Sequence, residues 1–183
     1  MSDGSEVIGE THIDLRTQAL DRKIEYIRLS RRAQLYKPVA DAIKNADKIV
    51  IGPGSLFTSI LPNFLVEGLS EALKESTAPK IYICNLVTDP AETDGYKTSD
   101  FVQKITEYLA DGDKLDYVLV NNGPVSDLAL RMYETEGKFP VQIDLEEKSE
   151  MVRNRVILGA LCRGKEVLRH DSEILAHTIL NLE

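Results

Sequence analysis

Residues 47–63 read DKIVIGPGSLFTSILPN, and this stretch decides the fold. Lys48-Ile49-Val50-Ile51 is a short apolar run of the kind that forms a buried strand. It breaks at Gly52-Pro53-Gly54, and Ser55, Thr58 and Ser59 follow before a new apolar period begins. A strand that stops in a glycine turn and feeds a helix gathers backbone N–H groups and hydroxyls at one point. That is how α/β proteins build anion sites. Neither of the two common glycine-rich phosphate spacings is present. Pattern alone therefore leaves two readings open. Backbone N–H groups with Ser55, Thr58 and Ser59 cradle a phosphate or carboxylate, or the turn is tight and its hydroxyls cap the next helix. Asn63, after Pro62, is placed to cap that helix in both.

Working outward, the same alternation recurs. Lys80–Leu86 (KIYICNL) and Tyr117–Val120 read as further buried strands, and Val141–Ile143 as another. Between them lie helical spacings: Pro38–Asp47 with proline at its start, Leu65 to about Glu75, and Phe101 to Leu109 behind a Thr98 or Ser99 cap. Asp171 caps a C-terminal helix carrying Ile174, Leu175, Ile179 and Leu180. Val7-Ile8 and Ile24–Leu29 read as strands near the start, and Val156–Cys162 with Val167-Leu168 as a late hairpin around Gly164. Strands alternating with helices imply a Rossmann-like three-layer fold with a mostly parallel sheet, in one domain over residues 1–183. The chain enters its first strand with no preceding βα unit, so its N-terminal βα units are expected to be missing or supplied by another chain.

Ligands in such sheets sit at the carboxyl ends of the strands. That selects the loops after Ile51, Leu86 and Val120. The second, Asn85–Asp100, carries Thr88, Asp89, Glu92, Thr93, Asp94, Tyr96 and Asp100. Its carboxylates suit a divalent ion or sugar hydroxyls, or form a solvated acidic surface. Asn85 ends an apolar strand, where an amide needs a partner. Asn121-Asn122-Gly123 reads as a turn beside the other two loops. In Arg169-His170-Asp171 the guanidinium suits a phosphate, while adjacent His170 and Asp171 point to opposite faces of an extended segment. Tyr133 is an aromatic near a helix end. No Ser–His–Asp or Cys–His nucleophile set is evident.

Composition narrows the classes. The chain has 183 residues, 43% of them apolar, and a net charge of −8, which argues against nucleic acid as the main partner. No run is long or apolar enough for a membrane span. Cys84 and Cys162 read as reduced core cysteines of a cytoplasmic protein. Three histidines show no metal-ligand spacing with them.

Taken in order, GPGSLFTSILPNFLV, KIYICNLVTDPAETDGYKTSD, DYVLVNN, RMYE and VLRHD resemble the YvcK branch of the YvcK/CofD-like family, the gluconeogenesis-factor proteins. The resemblance covers essentially the whole chain. It implies a UDP-sugar ligand (UDP-glucose or UDP-N-acetylglucosamine class) and a regulatory role in carbon metabolism, cell-wall precursor supply and cell shape. A family tyrosine and arginine that contribute to nucleotide-sugar binding fall on Tyr133 and Arg169. The implied ligand-binding set is Gly52, Gly54, Ser55, Thr58, Ser59, Asn63, Asn85, Thr88, Glu92, Thr93, Tyr96, Asp100, Asn121, Tyr133 and Arg169. The CofD branch, 2-phospho-L-lactate transferases of deazaflavin synthesis, is the alternative. Mg²⁺ is the cofactor implied there, with Asp89, Glu92, Asp94 and Asp100 as candidate ligands or bases. Family members usually have glycine at Ala91 and histidine at Phe101. They also have an N-terminal half with a GGGTG loop and a DDGG segment. The chain is thus expected to be a C-terminal portion, with a homo-oligomer or a separate N-terminal half as its partner.

Overall fold

The computed structural model of the protein describes residues 1–15, 20–164 and 167–182. Its sheet has four parallel strands in the spatial order β1 (Ile49–Ile51), β2 (Lys80–Ile83), β3 (Tyr117–Asn121) and β4 (Arg155–Gly159). Val50 pairs with Ile81, Tyr82 with Val118, and Val120 with Leu158. Every residue of β2 and the first four of β3 are buried. Two-sided burial needs two covering layers, and the period of two in a strand sorts the side chains between them. Tyr82, Cys84, Val118, Val120 and Val156 join a core with Phe57, Leu61, Phe101, Val102 and Ile105. These come from a π-helical turn (Leu56–Ile60), α3 (Leu61–Phe64) and α5 (Thr98–Thr106). Ile81, Ile83, Tyr117 and Leu119 face the other way, against Leu161, Leu175 and Leu182. Leu175 belongs to the C-terminal helix α7 (Ser172–Leu180). Each such fully buried side chain contributes about 1.5–3 kcal/mol. The layers are those of the expected α/β fold.

The remaining elements are α1 (Glu10–Asp14), α2 (Lys37–Lys44), α4 (Leu69–Glu75), α6 (Asp127–Thr135) and a two-stranded antiparallel pair. That pair is β5 (Cys162–Arg163) with β6 (Arg169–His170). Helix α2 packs on α4.

Several expectations change. Residues Val156–Gly159 lie in the fourth parallel strand instead of a hairpin, and the antiparallel pair is that of β5 with β6. The helix expected from Leu65 begins at Leu69, because Gly68 at φ 92° interrupts it. Asn63 does not cap it; its amide donates to the Ser59 and Ile60 carbonyls instead. Val141–Ile143 forms no ladder, only an isolated bridge at Gln142 within it and another at the adjacent Pro140. Val7-Ile8 and Ile24–Leu29 lie outside any sheet. Asp171 caps α7 as expected, accepting from Glu173 and Ile174 N–H at 3.0 and 3.2 Å.

The strand entrances are pinned by charge. Lys80, 2% exposed, reaches the Leu73 carbonyl at 3.3 Å, Asp113 at 3.4 Å and Asp116 at 3.9 Å. Asp116 also accepts the Lys80 N–H at 2.8 Å, and Arg153 bridges Asp113 and Asp116 at 2.9 and 2.8 Å. Two cations thus face two carboxylates where β2, β3 and β4 begin. Buried charges hold a fold together only while paired, and removal of one partner strands the others. We predict that Asp116→Ala destabilises the chain by about 3–5 kcal/mol. Urea unfolding reads this as a lower midpoint at unchanged slope; an unchanged midpoint would deny the network a structural role.

Candidate functional site

The turn after β1 sets the geometry. Gly52 has φ 78°, and a Cβ there would lie 3.3 Å from both the Ile83 carbonyl and the Ile60 side chain. Only glycine fits both the backbone and the space. The Gly52–Pro53 peptide is cis. Asn85, just past β2, ties the next residue in place: its amide donates to the Gly54 carbonyl at 3.0 Å, and its oxygen accepts from the Tyr82 hydroxyl at 3.2 Å. The amide of Asn85 therefore has the partners that its position demands. The Ser55 carbonyl then accepts from both Ser59 and Ile60 N–H, the widened pattern of a π turn. Among the described residues, the Gly54 and Ser55 N–H groups and the Ser55 and Ser59 hydroxyls have no partner.

Two expected anion donors are already engaged. Glu92, 5% exposed, accepts the Phe57 N–H at 2.8 Å and the Thr58 hydroxyl at 2.6 Å. Its carboxylate locks the loop after β2 onto the loop after β1. Burial pushes its pKa up, against the two hydrogen bonds, which lower it. Glu92 is thus a clamp on the loop, and the donors left for an anion are those of Gly54, Ser55 and Ser59.

The other expected residues divide into two groups. Asn121 stands at the end of β3, its oxygen accepting from Leu161 and Cys162 N–H at 2.8 and 3.2 Å and its amide donating to the Gly123 carbonyl. Gly123 is forced by the same contact, since a Cβ there would come within 2.7 Å of Ala160. Thr93 and Asp100 serve their own loop, and Thr88 ties it to the segment after α6. Thr88 exchanges bonds with Phe139, Thr93 accepts the Asp89 N–H, and Asp100 accepts the Lys97 N–H at the start of α5. Tyr96 stacks edge-on with Phe57 and Phe101, and burial raises its pKa to about 12. Phe101 is wholly buried, so the family's histidine position is here a core position. Ala91 is also buried. Tyr133 is half-buried on α6, and just past the end of that helix Lys138 pairs with Glu136 at 3.1 Å and with Asp89 of the same loop at 3.8 Å.

His170 is a residue that sequence reasoning passed over. Its Nε2 lies 3.1 Å from the Cys84 carbonyl at the end of β2. A carbonyl only accepts, so Nε2 carries the hydrogen and Nδ1 is left as an acceptor. Burial lowers its pKa, which keeps the ring neutral near pH 7. Arg169 is exposed, and the alternation of an extended segment turns it away from His170. The cap at Asp171 and that alternation were the available signals for His170.

The strand ends thus offer free backbone N–H groups and hydroxyls at Gly54, Ser55 and Ser59, beside the amides of Asn85 and Asn121, while His170, its N–H spent on the Cys84 carbonyl, adds no donor. This donor set suits a polar, anionic ligand. Among the described residues no three His, Cys, Asp or Glu side chains converge on a point that could hold a metal. Asp89, like Glu92 and Asp100, is directed to a backbone N–H, that of Ala91.

The raised Glu92 pKa has a sign that can be measured. Between its unfolded and folded values the folded state holds more protons, so this contribution is fully present below the unfolded pKa and lost as pH rises through the folded one. Glu92→Gln keeps an acceptor and removes the titration. We predict that wild-type stability minus that of Glu92→Gln falls as pH rises from about 4 to 7 in urea unfolding. A difference that rises would show that the two donors outweigh burial.

Comparison with known proteins shows the family. The family profile described as 2-phospho-L-lactate transferase CofD matches residues 1–161. The gluconeogenesis factor of Halalkalibacterium halodurans is 39% identical over 98% of this chain, and that of Bacillus subtilis 35% over 100%. The chain spans 55% and 56% of those two proteins, a little over half of each. A crystal structure of a UPF0052 family member from Bacillus halodurans superposes with a TM-score of 0.89 at 40% identity, over 99% of this chain and 57% of that one. No described helix is long and apolar enough to cross a membrane. The chain therefore belongs to the CofD family, among relatives named gluconeogenesis factors.

Proposed function

We propose that the chain forms the larger part of a nucleotide-sugar-binding regulatory protein of the gluconeogenesis-factor type. The ligand is a UDP-sugar, and the protein works in the cytoplasm, linking carbon metabolism to cell-wall precursor supply and cell shape. The observation that carries the reading is the set of donors left free at the strand ends, the N–H groups of Gly54 and Ser55 with the hydroxyls of Ser55 and Ser59. Such donors suit a diphosphate, and the amide-lined rim at Asn85 and Asn121 suits the polar groups around it. Tyr133 supplies a ring for the base or sugar and Arg169 a guanidinium for phosphate, as the family resemblance suggests. The protein binds without turnover in this reading.

The matched profile's own description favours a second reading, a transferase of the 2-phospho-L-lactate type that uses Mg²⁺. Against it stands the engagement of Asp89, Glu92 and Asp100 with backbone N–H groups.

A thermal-shift series separates the two. UDP-glucose or UDP-N-acetylglucosamine at 100 times its dissociation constant stabilises a native-only binder by about 2.7 kcal/mol. We expect the midpoint to rise with UDP-sugar and the rise to vanish in Arg169→Ala. Product formed from a deazaflavin precursor and a phospholactyl donor only when Mg²⁺ is added would overturn the regulatory reading.

A further inference from the structure

Where β2 and β3 part, a side chain enters between them. Cys84 donates its N–H to the Leu119 carbonyl of β3 at 2.9 Å. The carbonyl of the same strand residue faces the same side, and it accepts from His170 Nε2 at 3.1 Å. The backbone on both sides of His170 is held. Cys162, its partner in the β5–β6 pair, donates its N–H to Asn121 Oδ1 at 3.2 Å, at the end of β3. Asp171, the next residue, donates its N–H to the Leu161 carbonyl at 2.8 Å and caps α7 with its carboxylate. The imidazole therefore has a fixed place at the exits of β2 and β3.

The bond to Cys84 decides what the other ring nitrogen does. A carbonyl only accepts, so Nε2 carries the hydrogen and Nδ1 a lone pair. Among the described residues that lone pair has no partner. The other side-chain acceptors at the strand ends are already engaged. Asn85 Oδ1 takes the Tyr82 hydroxyl at 3.2 Å, and Asn121 Oδ1 takes two N–H groups at 2.8 and 3.2 Å. The Glu92 carboxylate takes the Phe57 N–H at 2.8 Å and the Thr58 hydroxyl at 2.6 Å. His170 is half-buried, and burial keeps its ring neutral near pH 7.

Free donors and free acceptor thus stand on different strands. Gly54 and Ser55 follow β1, while His170 sits between β2 and β3, and Asn85 links the two by its bond to the Gly54 carbonyl at 3.0 Å. With strands about 4.8 Å apart, the middle of the β2–β3 gap is about 7 Å from β1. We infer that His170 selects the ligand: its Nδ1 accepts a hydrogen bond from a neutral donor on a molecule whose phosphate occupies the Gly54 and Ser55 donors. This role rests on the phosphate seat proposed above, and it adds the polarity of a second contact. A neutral Nδ1 has no hydrogen to give, so an anionic oxygen placed there meets a lone pair, whereas an O–H or N–H group is bound. The ligand class is a phosphate ester with a neutral donor set apart from the phosphate, supplied by a hydroxyl of the attached sugar or by a group of the nucleoside.

Two variants separate this role from a structural one. In His170→Gln the amide nitrogen replaces Nε2 as donor to Cys84, and no acceptor stands at Nδ1. In His170→Asn the amide oxygen stands near the place of Nδ1, and the bond to Cys84 is lost. Calorimetric titration with UDP-glucose is expected to show binding weakened about tenfold in His170→Gln, with His170→Asn binding more tightly than His170→Gln. In the wild type, the ¹⁵N resonance of Nδ1 is expected to move upfield at saturation while staying short of the protonated-ring value. UDP tells the two sources apart: a loss confined to UDP-glucose assigns the sugar hydroxyl, and a loss shared by UDP assigns the nucleoside. Three results overturn the role of His170 alone: wild-type affinity in His170→Gln, tighter binding by His170→Gln than by His170→Asn, or a protonated ring in the complex. No binding of either ligand by the wild type overturns the phosphate seat, and the role of His170 with it.

Discussion

Burial of β2 and β3 on both faces is the constraint from which the rest of the molecule follows. Neither strand offers water a side, so a layer must cover each face, and the only polar openings left are the strand ends. At the entrances, buried Lys80 meets Asp113 and Asp116 and the opening is closed by ion pairs. At the exits, Asn85 and Asn121 carry amides whose partners are other loops, and the opening is lined but not filled. The two ends of one sheet thus take opposite uses, one structural and one receptive. The outer strand escapes this constraint. Val50 is 44% exposed and its backbone groups point outward, because Ile49 directs its N–H inward to Pro79 at 3.0 Å.

The receptive end is organised by contacts between loops far apart in sequence. Glu92 reaches back 35 positions to Phe57, Asn85 reaches back 31 to Gly54, and His170 reaches 86 to Cys84. Each contact fixes one loop by means of another, so the free donors of Gly54 and Ser55 are held in place before any ligand arrives. Preorganisation of this kind reduces the ordering cost of binding.

Sequence reasoning reached the elements whose signals are local. The runs at Ile49–Ile51, Lys80–Ile83 and Tyr117–Val120 are apolar and bounded by turn residues, and Asp171 is a cap at the head of an apolar period. Gly68 was equally local, and its break in the helix after Leu65 follows from the one property that glycine adds. The fourth strand was misplaced because Val156–Leu158 is followed closely by Leu161-Cys162 and Gly164, a pattern that a hairpin and a strand-plus-turn share. Ile24–Leu29 has the composition of a strand, but a ladder is a property of two segments, and composition describes only one. The site was legible as three loops and not as roles. Asp100 and Thr93 serve backbone N–H groups of their own loop, and Glu92 clamps a distant one, which no spacing within Asn85–Asp100 reveals.

The central claim is that ligand binds at the exits of the sheet, against the Gly52 turn. An NMR titration of the ¹⁵N-labelled chain with UDP-N-acetylglucosamine tests it most directly. The account predicts saturable shifts concentrated at Gly54, Ser55, Asn85, Asn121 and His170, with Lys80, Asp116 and Arg153 unmoved. Shifts centred on the entrances, or on neither end of the sheet, would contradict it.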